Sequence, residues 1–82
     1  MASGTIHKQI FSASDTKTSD VNGFVFPIAP ATVKIIGYQP NTASQLLILF
    51  QANNYWYFKA LNYNMGTLAN TSVSYTYYYL NE

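Results

Sequence analysis

The 82 residues include four lysines, three acidic side chains and no arginine, so only 9% of the chain is charged, against about 25% in an ordinary soluble domain. Without arginine a surface built to grip phosphate or carboxylate lacks its preferred tool, and without cysteine neither disulfides nor thiolate metal sites can form. A single domain over residues 1–82 is expected, held together by an apolar core, by self-association, or by both.

Residues 1–10 lack both a basic start and an apolar run, so no secretory leader is expected. Residues 5–11 read as a first strand, partly exposed because His7, Lys8 and Gln9 fall within it. Residues 12–23 read as a polar loop of Ser, Thr and Asp, ending on the turn signal Asn22-Gly23. A short strand over residues 23–28 follows, bounded by Pro27 and Pro30, which cannot donate to a ladder. Residues 32–38 alternate Val33, Ile35 and Gly37 against Lys34, Ile36 and Tyr38, and Pro40-Asn41-Thr42 then turns the chain.

Residues 45–52 and 55–62 are two strand-like runs separated by Asn53-Asn54. Asparagine tolerates the left-handed conformation that both central positions of a type I′ turn require. That turn sets a register in which Ala52, Phe50, Ile48 and Leu46 oppose Tyr55, Tyr57, Lys59 and Leu61. On the other face, Gln51, Leu49 and Leu47 oppose Trp56, Phe58 and Ala60. Both faces are apolar, so each needs cover, whereas an antiparallel pair with one wet face alternates. Residues 71–80 form the last strand, with Val73, Tyr75, Tyr77 and Tyr79 on one face and Tyr78 on the other. The result is an all-β chain of five or six strands, a small antiparallel sandwich or barrel.

No catalytic constellation is visible: His7 is the one histidine, and Asp15 and Asp20 match neither a calcium loop nor a paired-carboxylate spacing. The chain is therefore expected not to be an enzyme, and to take no metal and no cofactor. The longest apolar run, residues 46–50, is far short of the about 20 residues of a membrane helix. Exposed aromatics suit single-stranded nucleic acid, but four scattered lysines make no positive groove, so a nucleic-acid partner is not expected. Neutral sugars suit the composition better. Asn53, Asn54, Tyr55 and Trp56 set two amides and two rings at a hairpin tip, a candidate carbohydrate site. Against this stands the ordinary reading of strand aromatics as core or interface. The two-faced hairpin and the tyrosine-rich last strand point to a homo-oligomer, a trimer favoured, with Leu47, Leu49, Phe58 and Tyr77 as candidate subunit contacts.

The stretch Val21-Asn22-Gly23-Phe24-Val25-Phe26-Pro27, then Pro30-Ala31-Thr32-Val33-Lys34-Ile35-Ile36-Gly37-Tyr38 and a tyrosine-rich closing strand, resembles the small β-sandwich modules of bacteriophage tail fibres, tail tips and other virion proteins. The resemblance implies a virion structural protein, on the tail or decorating the capsid, with other virion proteins as partners and host-surface attachment as an added role. It would place the chain on an extracellular particle. A soluble lectin is the alternative expectation, and a small barrel for single-stranded nucleic acid the third.

Overall fold

A computed structural model of the chain describes residues 9–81. Six strands follow one another: β1 (Gln9–Thr18), β2 (Phe24–Pro30), β3 (Lys34–Pro40), β4 (Gln45–Ala52), β5 (Tyr55–Asn62) and β6 (Ser72–Asn81). They form two three-stranded antiparallel sheets, sheet A in the order β1-β6-β3 and sheet B in the order β2-β5-β4. The two sheets close over one interior, so the all-β sandwich expected from the alternation is the fold.

The β4–β5 hairpin has the register that a two-residue turn dictates, from Ala52 opposite Tyr55 to Gln45 opposite Asn62. Asn53 and Asn54 take φ of 53° and 69°, the left-handed pair that lets the strands keep their natural twist through the turn. Because side chains alternate, Leu47, Leu49, Trp56, Phe58 and Ala60 face inward, while Leu46, Ile48, Phe50, Tyr55 and Tyr57 face out.

Three strands depart from the pattern read in the sequence. β1 runs through Ser12–Thr18, the stretch expected to be a loop, because its backbone pairs continuously with β6 from Gln9 opposite Asn81 to Thr18 opposite Ser72. Residues 5–8 of the expected first strand, His7 among them, lie outside the described residues. In β3 the register slips between Ile35 and Gly37, leaving Ile36 as an extra, exposed residue. That bulge breaks the simple alternation and returns Tyr38 to the inner face, its ring centroid 5.3 Å from that of Phe58. In β2 the register shifts between Val25 and Ala29, with Phe26, Pro27 and Ile28 set against Tyr57, and the Phe26–Pro27 peptide is cis. The strand that a proline was expected to stop thus continues past Pro27 as an irregular edge, turning Phe26 outward and Ile28 inward.

The core is small and continuous. Val25, Phe58, Ala60, Val73 and Tyr75 are at most 1% exposed, and Leu47 and Ile28 lie beside them. Each such aliphatic or aromatic side chain is worth roughly 1.5–3 kcal/mol on burial. From Phe58 a file of rings runs along the inner face of sheet A, through Tyr75 at 5.1 Å, Tyr77 at 6.4 Å and Tyr79 at 5.7 Å to Phe11 at 5.8 Å. Burial pushes the Tyr75 phenol up to about 12, with the nearby Asp15 carboxylate and Tyr77 adding to the effect. Tyr77 is raised for the same leading reason, with Tyr79 and Asp15 contributing.

At one end the loops are tied together by backbone and short polar side chains. Asp20 folds its own turn, its Oδ1 accepting from the amides of Asn22 and Phe24. Gly23 completes it at φ +81°, where a Cβ would lie 2.6 Å from Thr67 Cγ2 and 3.1 Å from the Ala60 carbonyl. The buried Ser19 hydroxyl donates to the Leu68 carbonyl and accepts from the Thr71 amide, joining this corner to the start of β6.

Candidate interaction face

The outer side of sheet B is an aromatic and aliphatic surface. Phe24 and Phe26 of β2, Phe50 of β4 and Tyr57 of β5 form one connected group, with centroids 5.6 Å apart for Phe24–Phe50, 5.3 Å for Phe50–Tyr57 and 5.2 Å for Phe26–Tyr57. Such offset and edge contacts are worth about 0.5–1.5 kcal/mol each beyond their buried area. Lys59 holds its ammonium 4.9 Å from the Phe24 centroid, so the one cation on this face among the described residues is spent on a ring. Around the group, Phe26 is 49%, Ile48 46% and Leu46 37% exposed. No described element lies over them.

Phe24 and Phe26 belong to this surface because they alternate about the inward Val25, and the Phe26 ring lies over Tyr57. The sequence reading paired Phe50 with Tyr57 but left out these two phenylalanines. The signal that could have found them is the spacing Phe24-x-Phe26 flanking one core valine, the same period-2 rule that placed the hairpin.

The residues singled out from the sequence divide differently. Leu47, Leu49, Phe58 and Tyr77, the expected subunit contacts, all turn into the sandwich: Phe58 is fully buried, Leu47 nearly so, and Leu49 and Tyr77 pack against the same core. The opposite face of the same hairpin, with Leu46, Ile48, Phe50 and Tyr57, is the one turned outward. At the tip, Asn53, Asn54 and Tyr55 are exposed, and Tyr55 stands on the outer face beside Pro30. Trp56 points the other way. It is half-buried against the core, and its indole N–H donates to the Val33 carbonyl at 2.8 Å, fastening the β2–β3 crossover over the end of the sandwich. The two rings of the candidate sugar site therefore do not share a platform, and the indole donor is already engaged.

Asp15 lies on β1 opposite Tyr75, and Asp20 is occupied as the turn-former described above. No described helix is long and apolar enough to cross a membrane. Compared with known proteins, the chain matches no family model, no curated protein and no solved structure.

Proposed function

We propose that this chain is a structural subunit of a bacteriophage particle, in a tail fibre, tail tip or capsid decoration, and that it works by assembling with copies of itself through the outer face of sheet B. The observation that carries this reading is the connected group Phe24, Phe26, Phe50 and Tyr57, flanked by Leu46 and Ile48 and left without cover among the described residues. Monomeric proteins seldom leave so continuous an apolar surface to water, and in a chain this small its hydration is a large fraction of the marginal stability.

A second copy suits this face better than a charged partner. The only cation on it among the described residues is engaged with Phe24, and the net charge of +1 sets little repulsion against self-association. The phage assignment is supported by the resemblance of residues 21–38 and the closing tyrosine strand to virion modules. A sugar-binding role has less support, since Trp56, its intended stacking surface, is turned inward.

The assignment is tested by mass spectrometry of purified particles from cells producing the chain, combined with its solution mass by light scattering. Recovery in stoichiometric amounts with the particle, and a mass above the monomer, are expected. A folded monomer that stays behind when particles are purified would overturn the proposal.

A further inference from the structure

Of the four edge strands in the sandwich, three carry features that block pairing with another chain. β1 places Asp15 and Lys17 along its length, β2 has Pro27, Pro30 and a register shift, and β3 has Lys34, Pro40 and the bulge at Ile36. Charge, proline and bulges are the usual means of blunting a sheet edge. β4 has none of them. Its eight residues, Gln45–Ala52, are uncharged, contain no proline, pair without a break with β5, and have no strand on their other side among the described residues.

The sequence of β4 is also close to a mirror of itself. About Ile48, Gln45-Leu46-Leu47-Ile48-Leu49-Phe50-Gln51 matches Gln45 with Gln51, Leu46 with Phe50 and Leu47 with Leu49. An antiparallel strand pair related by a two-fold axis through Ile48 would bring those residues opposite one another. The backbone has the right parity for it. The two-residue turn makes Ala52 and Tyr55 a hydrogen-bonded pair, so Leu46, Ile48 and Phe50 aim their N–H and C=O groups at β5. Leu47, Leu49 and Gln51 aim theirs at the open edge, where Leu47 would meet Leu49 of a second copy in a hydrogen-bonded pair. The two copies of Ile48 then form the non-hydrogen-bonded pair at the centre.

From this geometry we infer that two copies of the chain join edge to edge through β4, giving one six-stranded sheet across the two-fold and merging their aromatic faces into a single surface. The proposal rests on the self-association argued above and adds to the outer face of sheet B a second contact, at its β4 edge. An isologous contact of this kind closes at two copies. The merged aromatic face remains for contacts that build larger assemblies, including the trimeric arrangement expected from the sequence, which would need a heterologous contact of its own.

The absence of cysteine from the chain makes the test clean. In a non-hydrogen-bonded antiparallel pair the Cα atoms are about 4.5 Å apart, within the span a disulfide bridges. Ile48→Cys, at a half-exposed outward position, is expected to give a covalent dimer on mild oxidation. Leu46→Cys alone is expected to stay uncrosslinked, because it faces Phe50, while the double variant Leu46→Cys/Phe50→Cys crosslinks. In the unaltered chain, amide exchange at Leu47, Leu49 and Gln51 is expected to slow as concentration rises. If the chain associates in solution but Ile48→Cys fails to crosslink, or crosslinks no better than Leu46→Cys, or those three amides exchange fast at every concentration, the edge contact is overturned and self-association stands. If the unaltered chain sediments as a monomer, both are overturned.

Discussion

The two sheets share one interior and differ in what they show outside, sheet A carrying a hydroxyl ladder with Ile10 and Ile36 exposed beside it and sheet B a connected aromatic group. Along the outer side of sheet A, Ser12, Ser14, Thr16 and Thr18 of β1 stand opposite Tyr78, Thr76, Ser74 and Ser72 of β6. The hydroxyls bond one another: Ser14 and Thr76 are 2.7 Å apart, and Thr76 donates to Asn41 Oδ1 at 3.1 Å. On sheet B the corresponding positions hold phenylalanine, leucine, isoleucine and tyrosine. A hydroxyl ladder loses little by facing water, because water replaces each bond it lacks, whereas each uncovered ring or aliphatic group leaves about 25 cal/mol per Å² of hydrophobic stabilisation unrealised. The hydroxyl ladder of sheet A is therefore suited to water, whereas the aromatic group of sheet B is the surface that the proposed assembly would cover.

Substitution of neighbours in one strand should separate the interior from the outer face most sharply. Trp56→Ala removes a half-buried ring packed against the core and the bond to Val33, and is expected to cost about 2–4 kcal/mol, a large part of the stability of so small a domain. Tyr55→Ala, one residue away on the outer face, is expected to cost less than about 1 kcal/mol. Urea denaturation of the two variants, with folding confirmed by circular dichroism, measures the difference. Comparable losses would mean that the inward and outward assignments of β5 are wrong.

Alkaline pH probes the sheet A side of the interior. Tyr75 has a folded-state pKa of about 12 against an ordinary 10, so the neutral phenol is the form the fold favours. Its contribution is complete below pH 10 and is lost as pH rises from 10 through 12, on the order of 2–3 kcal/mol when fully ionised. Tyr75→Phe should flatten this alkaline loss in stability, followed by chemical denaturation between pH 9 and 12. An equally steep loss in the variant would place the sensitivity elsewhere. The smallest effect is expected on the hydroxyl ladder. Ser14→Ala deletes one exposed hydroxyl pair and should change stability by less than about 0.5 kcal/mol in the same denaturation measurement, whereas a loss above about 1.5 kcal/mol would show the ladder to be structural.

How far the sequence could be read depended on whether local chemistry or tertiary contact decided each element. The β4–β5 hairpin was legible to the residue, because Asn53-Asn54 sets the turn and the turn sets every pair after it. Residues 12–18 of β1 were not. With Ser and Thr on one side and Ala13, Asp15 and Lys17 on the other, neither face looks like a core, and only pairing with β6 holds them extended. The bulge at Ile36 was equally hidden, since nothing local in Ile35-Ile36-Gly37 marks a slip in register against β6. Period-2 alternation showed that Leu47, Leu49 and Phe58 share a face, and that Leu46, Ile48 and Phe50 share the other. It could not say which face is inner, because both are apolar. That choice is made by the partner sheet, where Val73 and Tyr75 meet Phe58, and it turns Leu47, Leu49, Phe58 and Tyr77 toward the interior of the sandwich.

The claim that sheet B is the assembling face is tested most directly by sedimentation equilibrium at micromolar concentration, comparing the unaltered chain with two matched variants. Phe26→Lys places a charge at an exposed position in the aromatic group, and Ser14→Lys places the same charge on the hydroxyl ladder. The unaltered chain and Ser14→Lys are predicted to sediment as the same oligomer, and Phe26→Lys is predicted to fall to a smaller species, no larger than the dimer paired through β4, while staying folded. A monomeric unaltered chain, or an oligomer that Ser14→Lys disrupts and Phe26→Lys leaves intact, would contradict the account.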